Sequence, residues 1–465
     1  MGNATPRSFS PPAALLALCL VSSSCAADLP GWLAPGPAEP DATRAAWRAP
    51  AQAGAAVVSL ADPTPGLVVH EWGTDTVVSG SDGSLQRGLH HEEEDLPPFV
   101  YDRIKSGTAP RSISVEFKME TPVLYFYSAE ALDVSVQVDF PRGVMTQFYP
   151  DVRRFWPGLG QLQGVIGDPV FDPAFPFVSE RCATDYPRLI GGGVRWDAHL
   201  LPRGTDVQDL LQSAPLERYS WAHARAVAAN PLEVVNGSGE VQTERFLFYR
   251  GLGNGTPPLV VTAAAGGRLT LRNTADAPIG AAFVIAVGGG RGAFTRSRAI
   301  GAGQSTAAPA PSLEGAEGLD AFSDALAAAM TTAIKATGLH ADEAVAMVNT
   351  WRRQWFRTDG LRVLYIAPDG FVDEQIPLTI QPAPVRVVRM MMLRTEVLTP
   401  ELEALDTTAA AAAASDPAGA QAWFAALGRF GEPRLRRASD LLGQPGYLEP
   451  ILAALAGPAA ALATQ

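Results

Sequence analysis

Residues 115–150, VEFKMETPVLYFYSAEALDVSVQVDFPRGVMTQFYP, restrict the fold more than any other stretch of the chain. Val115, Phe117 and Met119 alternate with Glu116 and Lys118, and Val134, Val136, Val138 and Phe140 alternate with Ser135, Gln137 and Asp139. A period of two marks strands with one buried face. Between them, residues 121–128 are apolar and aromatic on both faces, which predicts a strand covered on both sides. Pro141 and Gly143 end one strand before another resumes at Met145. The expectation is a run of adjacent antiparallel strands.

Residues 246–250 (FLFYR) and 363–366 (VLYI) repeat this strand type, without the fixed period of a solenoid or propeller. Tyr125, Tyr127 and Tyr249 read as core aromatics, with lining of a ligand site as the alternative. Charged residues make up 18% of the 465 positions and hydrophobic ones 47%, with Gly 44 and Pro 39, a balance that favours turn-rich β structure over a charged helical bundle. The formal net charge of −12 and the lack of a basic stripe argue against a nucleic-acid partner.

The N-terminus has Arg7, an apolar run over 13–21 and then SSSCAA at 22–27, the form of a secretory signal peptide too short to span a bilayer. Residues 1–27 resemble a bacterial lipoprotein leader in which Cys25 is lipidated, although Ser22 stands where Leu or Val is usual. Ordinary cleavage after Ala26 or Ala27 is the rival reading. With Cys19 in the leader and Cys25 lipidated, Cys182 has no disulfide partner and reads as an inert thiol. Residues 28–65 form an Ala/Pro-rich spacer containing Trp32 and Trp47. The expected location is the cell envelope, as a membrane-anchored lipoprotein or as a periplasmic or secreted protein.

A β-rich body is expected over 66–310, opening with the strand LVVHEWGTDTVVSG. VHEWGT at 69–74, METPVLYFYS at 119–128, FLFYRG at 246–251, EAVAMVNTW at 343–351, VLYIAP at 363–368 and TEVLTPE at 395–401 are distinctive strings. In these the chain resembles an uncharacterised family of exported bacterial proteins, a resemblance covering about residues 67–403. It implies export but no activity, substrate or catalytic residue. RMMM at 389–392 departs from the family pattern, which is less Met-rich there.

The most polar cluster is HHEEED at 90–95. Imidazoles and carboxylates suit a divalent metal, which makes His70, Glu71, His90, His91 and Glu92 candidate ligands; the spacing matches no standard metal motif, and a solvated acidic loop is the competing reading. Residues 158–215 read as long loops with short strands, so Trp196, Asp197 and His199 are candidate ligand-loop residues by location. Residues 216–230 have helical composition. No Gly-x-Ser-x-Gly elbow occurs, and the glycine run 288–292 lacks the Lys-Ser/Thr ending of a phosphate loop and reads as a turn at a strand end. Residues 269–272 and 280–285 suggest further paired strands of the same sheet.

A helical hairpin is expected within 311–357, its second helix opening with Asp342 and Glu343 where the helix dipole favours acids. Strands over 358–398 complete the body, and a C-terminal helical region, 399–465, opens with the cap Thr399-Pro400. The fold class is therefore α+β, predominantly β, with antiparallel sandwich-like units, an inserted helical hairpin and a C-terminal helical tail. The leading functional expectation is a non-catalytic binding or scaffolding protein with no cofactor, its partner a cell-envelope component or another protein. The alternative is a metal-assisted hydrolase using His70, His90, His91 and nearby carboxylates.

Overall fold

The computed structural model describes residues 66–89, 91–92, 96–97, 99–103, 116–156, 192–207, 220–253 and 255–456. The leader with Cys25, the spacer, His90, residues 93–95 and Cys182 lie outside the described residues. The strands in chain order are β1 (Val68–Ser79), β2 (Tyr101–Asp102), β3 (Phe117–Tyr127), β4 (Leu132–Phe140), β5 (Gly143–Tyr149), β6 (Arg154–Trp156), β7 (Gly192–Leu200), β8 (Leu232–Val235), β9 (Val241–Glu244) and β10 (Leu247–Gly253). They continue with β11 (Leu259–Ala264), β12 (Arg268–Asn273), β13 (Ala282–Gly288), β14 (Arg291–Arg296), β15 (Ser305–Pro309), β16 (Glu317–Gly318), β17 (Gly360–Ile366), β18 (Leu378–Gln381) and β19 (Arg386–Val397).

Ten strands form one mixed sheet in the order β16-β14-β13-β17-β19-β1-β3-β10-β5-β2. Smaller sheets, β11-β12-β15 and β18-β4-β7-β8-β9 with β6 on β7, pack against it. The strand burial patterns account for this division. β1 and β3 are buried along almost their whole length, as strands covered on both faces must be, whereas β4 alternates buried and half-buried residues. The chain is thus mixed α+β and predominantly β, as its patterning predicts.

Two expectations about neighbours are corrected. β3, β4 and β5 are not adjacent: β10 separates β3 from β5, and β4 belongs to another sheet. Likewise β12 and β13 lie in different sheets. Alternation reports which residues face a core, and it carries no information about which strand supplies the hydrogen bonds.

One face of the ten-stranded sheet, with Trp72, Tyr125, Leu364, Met390 and Met392, packs beneath helices α1 (Leu319–Lys335) and α2 (Ala341–Phe356), including Trp351 and Trp355. The opposite face, with Val69, Leu124, Phe126, Met391 and Leu393, shares a core with Val136, Trp196, Leu259 and Val261 of the smaller sheets. The strand at 389–392 is therefore doubly covered, and its methionines fill both interiors. Each such buried large side chain contributes about 1.5–3 kcal/mol.

The hairpin stands where its pattern places it, and the connection between its helices passes through Gly338 at φ 100. The glycine run makes the tight turn between β13 and β14, with Gly289 and Gly290 both at positive φ. A short α3 (Phe371–Gln375) precedes β18. The tail comprises α4 (Pro400–Ala412), α5 (Pro417–Ala425), α6 (Gly431–Leu441) and α7 (Glu449–Ala456), with a core of its own around Phe424, Leu435 and Leu448. Thr399 caps α4 by accepting from the Leu402 N–H. Within residues 216–230, the described part carries a 3-10 turn, Ser220–Ala226, in place of an α-helix.

Candidate functional site

The distinctive strings of the sequence come together at the centre of the large sheet. β1 pairs in parallel with β19 and antiparallel with β3, and β3 pairs antiparallel with β10. VHEWGT thus lies between RMMMLRTEV and METPVLYFY, with FLFYRG one strand further out. The register slips between Trp72 and Thr74. A Cβ at Gly73 would stand 2.8 Å from the Pro122 Cα and 2.9 Å from the Met391 Sδ, so the motif requires glycine there. Across from it Thr121 adopts φ 54, a conformation that a β-branched residue holds only under constraint.

His70 points to the helical side. Its Nδ1 lies 2.8 Å from the Glu343 Oε2, and because a carboxylate oxygen accepts, Nδ1 is the donor in this contact. The other Glu343 oxygen accepts from the Tyr127 hydroxyl at 2.7 Å, and Oε2 also accepts the His340 backbone N–H at 2.6 Å, which fixes the first turn of α2. The rings of His340 and Tyr127 pack at 4.6 and 5.1 Å from that of His70, and Arg203 lies 5.5 Å over Tyr127. Burial and the Glu343 charge push the Tyr127 hydroxyl far above its ordinary pKa, so it acts as a donor.

Glu71, the next residue, points to the opposite face. It accepts from the Tyr249 hydroxyl and from the Arg389 Nε at 2.6 Å, and Arg389 continues to the exposed Asp373 at 2.7 Å.

A further charged group closes the end of the sheet. Glu120 accepts from Thr76 at 2.7 Å and from Arg429 at 2.6 Å. Burial opposes its charge, but Arg429, Lys118 and Arg250 outweigh that cost and hold it at about 2. Lys118, fully buried, lies 3.1 Å from Glu92 and donates to the His91 carbonyl. Burial lowers its pKa against the pull of Glu92 and Glu120. Arg250 binds Glu92 as well, and Gln147 donates to Glu92 and Asp102, each at 3.3 Å. His91 lies 3.8 Å from Glu432 of α6.

The four described candidates for metal ligands, His70, Glu71, His91 and Glu92, therefore do not converge. Neighbours in a strand face opposite ways, which separates His70 from Glu71, while His91 and Glu92 are drawn into the Lys118 group. His90 lies outside the described residues, and among those described no group of three or more His, Cys, Asp or Glu is placed to hold a metal.

Trp196, Asp197 and His199 are corrected from loop residues to residues of β7, where they alternate between faces. Trp196 is core and donates to the Pro150 carbonyl, Asp197 pairs with Arg195 on the surface, and His199 pairs with Asp133. The residues missed from sequence are the distant partners Glu343, Arg389 and Arg429. The one available signal was that VHEWGT and EAVAMVNTW both stood out as distinctive strings.

No family model matches the chain, and no curated protein matches it. Solved structures to which it is similar include the yeast delta-COP-I mu-homology domain complexed with a Dsl1 WxWxV peptide, at 8% identity and TM-score 0.25, over 72% of this chain and 98% of that one. The yeast delta-COP-I mu-homology domain alone has 8% identity and TM-score 0.24 over the same shares. At these TM-scores the likeness carries no argument. Among the described residues no helix is long and apolar enough to cross a membrane.

Proposed function

We propose that the chain is an exported cell-envelope protein that works by binding or scaffolding, tethered through a lipidated Cys25 and held off the membrane by the spacer over 28–65. One observation carries the non-catalytic part of this reading: His70, Glu71, Thr74 and Thr76 of the VHEWGT strand are each spent on joining parts of the body. His70 ties β1 to α2, Glu71 ties it to β10 and β19, Thr74 bonds the Met392 carbonyl at 2.7 Å, and Thr76 joins the Glu120–Arg429 pair that docks the C-terminal helices. Residues used in this way make a rigid platform. The leader and the resemblance to exported bacterial proteins support the location.

Cells producing the full chain test the tether. Wild type should sediment with membranes and Cys25→Ala should appear in the soluble fraction; unchanged fractionation removes the anchor. The purified protein, assayed against chromogenic esters, phosphates and peptides with and without zinc, should show no turnover above a His70→Gln control. Turnover lost in that variant replaces binding with hydrolysis.

A further inference from the structure

Asp75 lies on the β1 face turned toward the smaller sheets and is 1% exposed. Among the described residues neither of its carboxyl oxygens has a hydrogen-bond partner. The sheet register sets Asp75 beside Leu393 and Leu393 beside Tyr365, so Asp75 and Tyr365 flank one leucine in a single row. The Tyr365 hydroxyl is also buried and unpartnered; the Leu259 backbone approaches it without closing a hydrogen bond, and Asp75 acts on it electrostatically. Thr395, two residues beyond Leu393 and hence on the same face of β19, is 2% exposed with its hydroxyl likewise unpartnered.

The neighbouring charges do not explain this group. Glu71 has Arg389 and Tyr249, and Glu120 has Arg429 and Thr76. Asp75 is left without a counter-charge in a region otherwise filled by leucine, valine and phenylalanine. A carboxyl in such surroundings is costly unless it holds a proton or a cation. Its companions are hydroxyl oxygens, with no imidazole or thiolate among them, and all-oxygen sets select hard cations. One uncompensated carboxylate matches one positive charge.

We propose that Asp75, Tyr365 and Thr395 contribute to an internal site for a single alkali-metal cation, sodium or potassium, between the ten-stranded sheet and the β11-β12-β15 sheet. The cation joins β1, β17 and β19 from inside the sandwich. This proposal is independent of the tether and of the binding function.

Unfolding of the full chain is measured in sodium, potassium or choline chloride at equal ionic strength, choline being too large to enter. Above its dissociation constant, each tenfold rise in the free concentration of the preferred cation lowers the apparent unfolding constant tenfold. Asp75→Asn and Thr395→Val should each remove the difference between the salts; where Asp75→Asn fails to fold, Thr395→Val carries the test. Equal stability of wild type in all three salts, or a difference that survives both substitutions, overturns the site and leaves Asp75 holding a proton. Crystals of wild type soaked in thallium(I) give a direct view: an anomalous peak among the three side chains supports the proposal, and no peak there refutes it.

Discussion

Two histidine–carboxylate pairs of nearly equal length show how differently one contact acts in two parts of this molecule. His70 and Glu343 meet at 2.8 Å with side-chain exposures of 2% and 0%, whereas His199 and Asp133 meet at 2.7 Å with 45% and 90%. The distances cannot tell them apart. Removing one partner of the buried pair leaves polar atoms without water or replacement, while the exposed pair exchanges each lost contact for solvent. Chemical specificity at the centre of the sheet therefore comes from enclosure.

The comparison can be pushed furthest at the buried charge group beside β1. Arg429→Met leaves Glu120 buried with less compensation, and stability should fall by about 3–5 kcal/mol in chemical denaturation; a loss below about 1 kcal/mol would show that enclosure is not what separates the two regions. The same carboxylate gives a pH signature. The Glu120 pKa is lowered to about 2 in the folded chain, so its stabilisation is complete above its unfolded value and is lost as pH falls from about 4.5 toward 2. Denaturation midpoints of wild type should decline over that window, and Arg429→Met should flatten the decline.

Glu343→Gln sharpens the contrast directly. It keeps the shape but gives His70, Tyr127 and the His340 N–H a poorer acceptor, with an expected loss of about 1–3 kcal/mol. Proton NMR should show the His70 Nδ1–H signal displaced. At the surface, His199→Ala should change stability by no more than about 0.5 kcal/mol in the same assay. A larger effect would mean that β7 depends on its exposed face.

Local features of this fold are legible in its sequence, and long-range ones are not. Trp351 and Trp355 announced a helix face by their four-residue spacing, and Thr399-Pro400 announced a helix start, because both signals are local. The alternation of β4 correctly marked its buried face and said nothing about its sheet, since register with β7 and β18 depends on residues far away. Asp342 and Glu343 read alike as acids favoured by a helix N-terminus. Glu343 reaches back 273 positions to His70, and no periodicity encodes such a distance. Alternation already sets His70 and Glu71 on opposite faces of their strand, and the structure gives each its own distant partners.

The parallel pairing of β1 with β19 bears on how the chain comes into being. Val68 stands beside Arg386 and Ser79 beside Val397, so the first long strand of the body borders one of the last. A chain emerging from its N-terminus carries β1 with one long edge open until more than three hundred further residues have followed. Contacts that close so large a loop form slowly, and the open edge is a template for unwanted pairing in the meantime. Synthesis halted anywhere before β19 leaves β1 without its parallel neighbour, so the centre of the large sheet closes only when its last strand arrives.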